Sequence, residues 1–442
     1  MPEHLRKSAI EQIRDKKIEF IHLWFTDVLG FLKTFVITAD ELETAMTEGM
    51  GFDGSSILGF ARIQESDMIA LPDPATLQIL PWRQQEMLVA TMFCDVVTPD
   101  GTPYEADPRY VLKRTLKKAA EMGYTFFVGP ELEYYYFKSD TGTELLDSGG
   151  YFDMTTRDVA VDLRKETVRT LNNFGIQVEY SHHEVGPSQH EIDLRYAEAL
   201  RMADNVMTYR LVVKEVAQLN GVYASFMPKP MYGEAGSGMH VHQSLFAGDA
   251  NAFYDADDEH HLSPIAKGYI AGLLKHARAI SGVTNQWVNS YKRLVSGYEA
   301  PVYICWAHRN RSALVRVPMY KPGKEKATRI ELRSPDPACN PYLAFAVMLA
   351  AGLDGIANGY ELPPDVTDDV YEMTSAQRAE RGIGQLPEDL HDAIEAMEGS
   401  ELLRDTLGDQ VFEWYIKNKR IEWDDYKSRV TPWEMQGYLP LL

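Results

Sequence analysis

The chain is poor in cysteine: Cys94, Cys305 and Cys339 are its only three, widely spaced and odd in number. That excludes a disulfide framework or a Cys-rich zinc site, and a reducing, cytoplasmic setting is the expectation. Long hydrophobic runs are also missing. The most apolar helix-forming stretch, PYLAFAVMLAAGLDGIANG, meets Asp354 after about 13 residues, short of the roughly 20 that span a bilayer. The opening MPEHLRKSAIEQIRDKK is charged and has no apolar centre, so no signal peptide is expected. Positive charge is in deficit: 44 Lys and Arg stand against 65 Asp and Glu, a net charge of −21 at pH 7. Such a chain is ill suited to nucleic acid or an anionic membrane, but it has carboxylates to spare for metals. Several motifs are absent too. The one Gly-Lys pair, Gly323-Lys324, is followed by Glu325, so there is no P-loop. There is no G-x-G-x-x-G, no H-E-x-x-H and no C-x-x-C, which removes the Rossmann, zincin and thiol-redox readings.

What is present is ordinary globular composition, 45% apolar and 25% charged over 442 residues, enough for two or three domains. No repeat or low-complexity tract interrupts it. A short helix over 8–19 precedes strands FIHLWFTD, LKTFVIT and MLVATMFCDVV, with the Gly-rich EGMGFDGSSILGFA between the last two. This is a small β-rich first domain, bounded by the turn-rich TPDGTPYEADPR at 98–109. Beyond it, helical and strand patterns mix: helix YVLKRTLKKAAEMGY, strand FFVGPELEYYYF, helix RKETVRTLNNFG, then IQVEYSHHEV and HEIDLRYAE around the turn GPSQ. Helices at 201–220 and about 263–281 alternate with strands ASFMP, MHVHQSL, VYICWAHRNRSALVRVP and TRIELRS. The last 100 residues are mostly helical.

The strand FFVGPELEYYYF carries Glu131 and Glu133. With a side-chain period of two, both point to one face. Burying two like charges together is costly unless something positive lies nearby. Similar rows recur: Glu184 and Glu191 flank the Gly-Pro turn, His240 and His242 share a strand face, and Arg329, Glu331 and Arg333 alternate with Ile330 and Leu332. Each alone reads more simply as a solvated face, a structural histidine pair or a surface ion-pair row. Together, five strand-borne glutamates, a neutral histidine and several arginines suggest one polar cavity. Oxygen-rich donors suit Mg²⁺ or Mn²⁺, and two such ions with arginines nearby suggest phosphoryl transfer.

GFDGSSI, GPELE, HHE…HE, GSGMHVHQS, NSYKRLVSGYEAP, NRSALVRVP and RIELRSPDPACNPYLAF, in this order, resemble the type I glutamine synthetases nearly end to end, in the short bacterial subgroup. The resemblance implies an α+β fold: a small β-grasp domain over 1–104 and a large catalytic domain over 105–442, built on an antiparallel sheet with flanking helices. It implies a cytoplasmic dodecamer of two hexameric rings with sites shared between neighbours. It also implies ATP-dependent ligation of ammonia to the γ-carboxylate of L-glutamate through γ-glutamyl phosphate. Relatives that use a polyamine, ethanolamine or methylamine instead are the alternative.

Carried over residue by residue, Glu133, Glu184 and Glu191 resemble ligands of one Mg²⁺ or Mn²⁺, and Glu131, His240 and Glu331 those of a second. His242, Ser244, Glu179, Arg311, Arg316 and Arg329 resemble ATP contacts. Gly236, Arg293, Glu299 and Arg333 resemble the glutamate site. Asp53, from a neighbouring subunit, resembles the base that deprotonates ammonium, with Ser56, Tyr151 and Glu184 completing that pocket and Glu299 on a closing flap. Arg62 matches a position tied to feedback inhibition by glutamine. Two departures stand out. Ala235 replaces the usual Asn before Gly-Ser-Gly, and the surroundings of Tyr371 differ from those of an adenylylated tyrosine, so no adenylylation is expected.

Overall fold

The computed structural model describes residues 3–57, 66–82, 88–297 and 300–442; Arg62 and Glu299 therefore lie outside the described residues. The first sheet contains β1 (Phe20–Thr26), β2 (Leu32–Thr38), β3 (Met50–Asp53), β4 (Asp67–Pro72), β5 (Gln78–Ile79) and β6 (Val89–Val97). Its order is β2-β1-β6-β4-β3, with β5 on β6. β1 and β6 run parallel, the others antiparallel. Alternation of Ile21 and Leu23 with half-buried neighbours turns one face onto a minor core with Ile13, Ile37, Leu42 and Met46. The first helix is Glu3–Asp15, earlier than the 8–19 read from sequence. It stops because Lys17 takes a left-handed φ of 52° and turns the chain into β1.

The second sheet contains β7 (Thr125–Phe137), β8 (Val178–His183), β9 (Gln189–Leu194), β10 (Ala197–Glu198), β11 (Tyr223–Ser225), β12 (Met239–Ala247) and β13 (Ala250–Asn251). After β14 (Tyr303–Ile304), which pairs elsewhere, come β15 (Trp306–His308), β16 (Val315–Val317) and β17 (Ile330–Leu332). The path is β15-β16-β17-β12-β7-β9-β8. It is antiparallel except for the pair β15–β16, a local correction to an all-antiparallel expectation. VYICWAHRNRSALVRVP is thus three short strands, because Arg309 (φ 73°) and the Asn310 side chain, which accepts from Ser312 N, turn the chain.

One face of this sheet presents Leu132, Tyr134, Tyr136, Val241, Ile330 and Leu332 to the main core. Helices Ala199–Leu219, Pro264–Thr284 and Pro341–Ala357 supply most of the rest. The last runs through Asp354 rather than breaking there, since that carboxylate stays at the surface with His276 and Tyr360. Among the described residues no helix is long and apolar enough to cross a membrane.

The two sheets share a core, and a buried arginine locks them together. Arg109, 3% exposed, donates to Asp73 and Asp95 of the first unit and to Asp204 of the helix Ala199–Leu219. Three carboxylates around one guanidinium satisfy a charge that could not be buried alone.

Candidate active site

The other face of the second sheet holds the acids. β7 is long because its aromatic residues fill the core side, and that length projects Glu131 and Glu133 from its middle. The register sets His240 opposite Glu131 on β12, and Glu191 opposite Glu133 on β9. Glu331 of β17 pairs with His242 in the same ladder. Residues scattered over 200 positions thereby line one cavity of about 580 Å³: Glu131, Glu133, Glu184, Glu191, His240 and Glu331, with Tyr151, Arg311, Arg316 and Arg333.

The first donor group is Glu131, His240 and Glu331, with ligand atoms within 4.8 Å of one another. His240 Nδ1 lies 3.5 Å from Glu131 and 3.6 Å from Glu331. Burial, then Arg333, lowers the His240 pKa and keeps its ring neutral, as a ligand must be. Glu331 is fully buried. Burial pushes it up, but Arg333, His242, His240 and Arg316 outweigh this and hold it down to about 2. Arg333 Nη1 donates to it at 2.6 Å, and Arg316 Nε to its other oxygen. Burial likewise pushes Glu131 up, yet the two histidines keep it well below the ordinary range.

The second group is more crowded with negative charge. Glu133 Oε2 accepts from Gly238 N (2.9 Å) and Gln189 Nε2 (3.0 Å). Burial and then Glu184 push the Glu133 carboxyl up to about 8. Glu191 is pushed well above the usual range by burial and by Asp193, Glu133, Glu131 and Glu184, and its Oε1 is buried without a partner. The donor triad by distance is His182, Glu184 and Glu191. His182 Nε2 stands 2.7 Å from Glu184 and 3.3 Å from Glu191. Carboxylates pressed together with an orphaned oxygen, in an oxygen-rich set, fit a hard divalent cation here and a second at the Glu131 group.

Two further surfaces adjoin. A cavity of about 260 Å³ is lined by Glu179, His242, Ser244 and Arg329 and shares Glu131 and Tyr180 with the first. His242 Nε2 donates to Glu131 (2.7 Å) while its Nδ1 accepts from Arg329 Nε (3.2 Å), which fixes the tautomer. A recess of about 40 Å³ joins Glu133, Glu184, Ala235, Gly236, Arg293 and Arg333. Arg293 spends Nη1 on Ser334 O (2.6 Å) and Nη2 on Arg333 O (3.2 Å), so backbone rather than a second charge orients it. Gly236 is required by this approach: a Cβ there would lie 2.7 Å from Arg293 Cγ and 2.8 Å from Pro228 O. Tyr371 also lines the main cavity, its hydroxyl donating to Ala300 O at 2.7 Å.

Among the described residues, Asp53 is not one of those lining that cavity. It ends β3, the edge strand of the first sheet, and its side chain accepts from Ser55 N (2.9 Å). Ser56 follows in the short turn Gly54–Ser56. Sequence reasoning missed His182 and Gln189. His182 stands two residues before Glu184 in the quoted HHE, a spacing that puts both on one strand face. Gln189 had no such signal. Its amide joins Glu133, Gly236 O (3.0 Å) and Gly186 N (3.0 Å), three segments that only the tertiary fold assembles.

Comparison with known proteins gives a consistent result. The family model "Glutamine synthetase, catalytic domain" matches residues 105–438, and "Glutamine synthetase, beta-Grasp domain" matches 17–99. The chain is 53% identical over 442 residues to a glutamine synthetase of Mycolicibacterium smegmatis, covering 99% of both. It is 51% identical to one of Methanosarcina mazei, covering 99% of this chain and 98% of that one. Among solved structures, one titled "GmaS/ADP complex-Conformation 1" superposes with a TM-score of 0.90 at 34% identity, over 98% of this chain and 99% of that one.

Proposed function

The chain belongs to the glutamine synthetase family, and from that premise we infer how its own residues carry out the reaction. The enzyme is a glutamate–ammonia ligase: it joins ammonia to the γ-carboxylate of L-glutamate at the expense of ATP and gives glutamine. The observation that carries the residue-level reading is the single cavity in which two acid groups, two histidines and three arginines converge.

Glutamate binds with its α-carboxylate toward Arg333 and Arg293 and the Gly236 backbone. ATP lies along the cavity lined by Glu179, His242, Ser244 and Arg329. Glu131, His240 and Glu331 hold one divalent ion, Mg²⁺ or Mn²⁺, and Glu133, Glu184 and Glu191 another, with His182 beside them. When bound, these ions neutralise charge on the phosphates and offset repulsion among the acids. A γ-carboxylate oxygen of glutamate attacks the terminal phosphorus of ATP and ADP leaves, forming an acyl phosphate. Arg311, Arg316 and Arg329 hold the phosphoryl oxygens, since guanidinium stays charged and binds in a fork.

Ammonium then enters a pocket made by Tyr151, Glu184 and Ser56. Asp53 takes one proton from ammonium, ammonia attacks the acyl carbon, and phosphate departs as hydrogen phosphate with the further proton that the nitrogen loses. Glu299, outside the described residues, is assigned by resemblance alone to keeping water from the intermediate. Asp53 comes from a neighbouring copy. That is supported by its position on an exposed sheet edge, away from the acids of its own chain. Two hexameric rings are the assembly we assign. An exposed apolar C-terminus, with Trp433 and Leu439 each 70% accessible, supports a further interface. The family-model spans support a division into 1–104 and 105–442. Three buried free cysteines support work in a reducing cytoplasm. Arg62 remains assigned to glutamine feedback by resemblance.

The test is phosphate release from ATP with Mg²⁺ and glutamate, comparing ammonium with putrescine, ethanolamine and methylamine. Ammonium is expected to win, and Asp53→Ala to abolish its use. A preference for any of the amines would leave the phosphoryl-transfer assignments intact and overturn the ammonium pocket.

A further inference from the structure

The two walls of the ammonium pocket, Tyr151 and Glu184, sit on separate segments. One buried carboxylate joins them. Asp147 opens the loop that carries Tyr151. Its Oδ1 accepts from Ser188 N at 2.8 Å, Gly149 N at 3.3 Å and His183 Nε2 at 3.0 Å. Its own N donates to Ser188 Oγ at 2.7 Å. The other ring nitrogen of His183, Nδ1, donates to the carbonyl of Glu184 at 2.7 Å. The carbonyl of His183 in turn accepts from Phe152 N at 3.1 Å. The loop and the Glu184 turn are therefore tied from both sides.

The side chains of Asp147 and His183 are both wholly excluded from solvent. Behind them stands His190, whose Nδ1 is 2.8 Å from Arg164 Nη1, which is itself paired with Asp158. Arginine can only donate, so Nδ1 accepts and the His190 proton sits on Nε2, 3.6 Å from Asp147 Oδ2. Asp147, His183 and His190 are clustered closely enough to hold a metal. Their hydrogen bonds argue against one. Both nitrogens of His183 already face acceptors and the His190 proton sits on Nε2, so a metal would have to displace these hydrogen bonds. The cluster is a clamp.

Beyond this tie, Tyr151 is held by a hydrogen bond with Arg311 and the loop by its own Gly150–Asp153 turn, and much of it is exposed. Tyr151 and Phe152 are 44% and 58% exposed, and Phe152 takes a left-handed φ of 58° that a non-glycine residue keeps only when its surroundings impose it. Their rings lean on His182, at 5.5 Å and 4.6 Å between centroids.

We propose that Asp147, acting through His183, is a positioning residue for the nucleophile: it sets the spacing between Tyr151 and Glu184, and thereby the fit of ammonium over larger amines. The proposal rests on the assignment of Tyr151 and Glu184 to the ammonium pocket. The test measures KM for ammonium, glutamate and ATP, and the preference for ammonium over methylamine, in the assembled enzyme and in Asp147→Asn, His183→Gln and Tyr151→Phe. In Asp147→Asn and His183→Gln the ammonium KM is expected to rise on the order of tenfold, as for other groups that orient a ligand. The methylamine discrimination narrows with it, while KM for ATP and glutamate stays within about twofold. An unchanged ammonium KM, or a parallel rise of all three constants, overturns the clamp. Tyr151→Phe separates the two ideas. If it raises the ammonium KM and the clamp variants do not, the clamp alone is wrong; if it does not, the pocket assignment fails and takes the clamp with it. Should Asp147→Asn not assemble, His183→Gln alone decides by the same criteria.

Discussion

Glu133 shows at the scale of one residue why this cavity suits a cation. Burial and Glu184 raise its carboxyl from 4.5 to about 8 in the metal-free chain. A carboxyl raised on folding favours the folded state fully below the unfolded value, and that contribution is lost as pH rises through the folded value. The metal-free protein should therefore lose stability between pH 4.5 and about 8. A divalent ion bound there would replace the proton and reverse the loss. The gain in melting temperature on adding Mn²⁺ is accordingly expected to grow across that window, and Glu133→Gln to flatten the growth. A gain independent of pH in the parent protein would show that Glu133 does not contact the ion. The sequence already carried the reason, since two acids spaced by two on an aromatic strand cannot be buried unaided. It did not carry Gln189 or Asp147, whose roles lie in hydrogen bonds to segments far away in the chain.

At the scale of elements, the acid-bearing sheet is only as flat and fixed as the helices behind it. Pro264–Thr284 and Pro341–Ala357 cross with glycines at the contact. A Cβ on Gly272 would fall well inside van der Waals contact with Ala351 O. Backbone oxygen cannot rotate away as a side chain can, so the helices would have to separate. Gly272→Ala is expected to destabilise the fold by about 1–3 kcal/mol, read as a lower melting temperature with KM for all substrates unchanged. An unaltered melting temperature would mean that this crossing is looser than it stands here. Strand existence was legible along most of the sheet from period-two alternation. Strand ends were less so: the break at Arg309–Asn310, the parallel β15–β16 pair and the earlier first helix all depend on turn geometry, to which hydrophobic spacing is blind.

The whole molecule adds a constraint that neither residue nor element contains. Arg109 fastens the first sheet to the second within one chain, yet Asp53 stands on that sheet's open edge and not among the acids. In the proposed mechanism the base for ammonium therefore comes from another copy. Mixing Asp53→Ala subunits with Glu331→Gln subunits, each inactive alone, is expected to restore activity at about a quarter of the sites in randomly reassembled rings, because some interfaces then pair two intact halves. No recovery on mixing, with reassembly verified by mass, would require both residues to serve within one chain.

The sequence by itself determined the chemistry. Charge deficit, missing nucleotide motifs and alternating acids, histidines and arginines on strands are local properties of the chain, and the run of motifs from GFDGSSI to RIELRSPDPACN identified the family. The tertiary structure alone decided which acids share an oxygen cage, that His182 joins Glu184 and Glu191, that Arg293 is held by backbone, and that Asp147 clamps two distant loops. Strand periodicity fixes the face a side chain takes. Only the register between strands and the closure of loops fix its neighbours, and those arise from packing the whole chain at once.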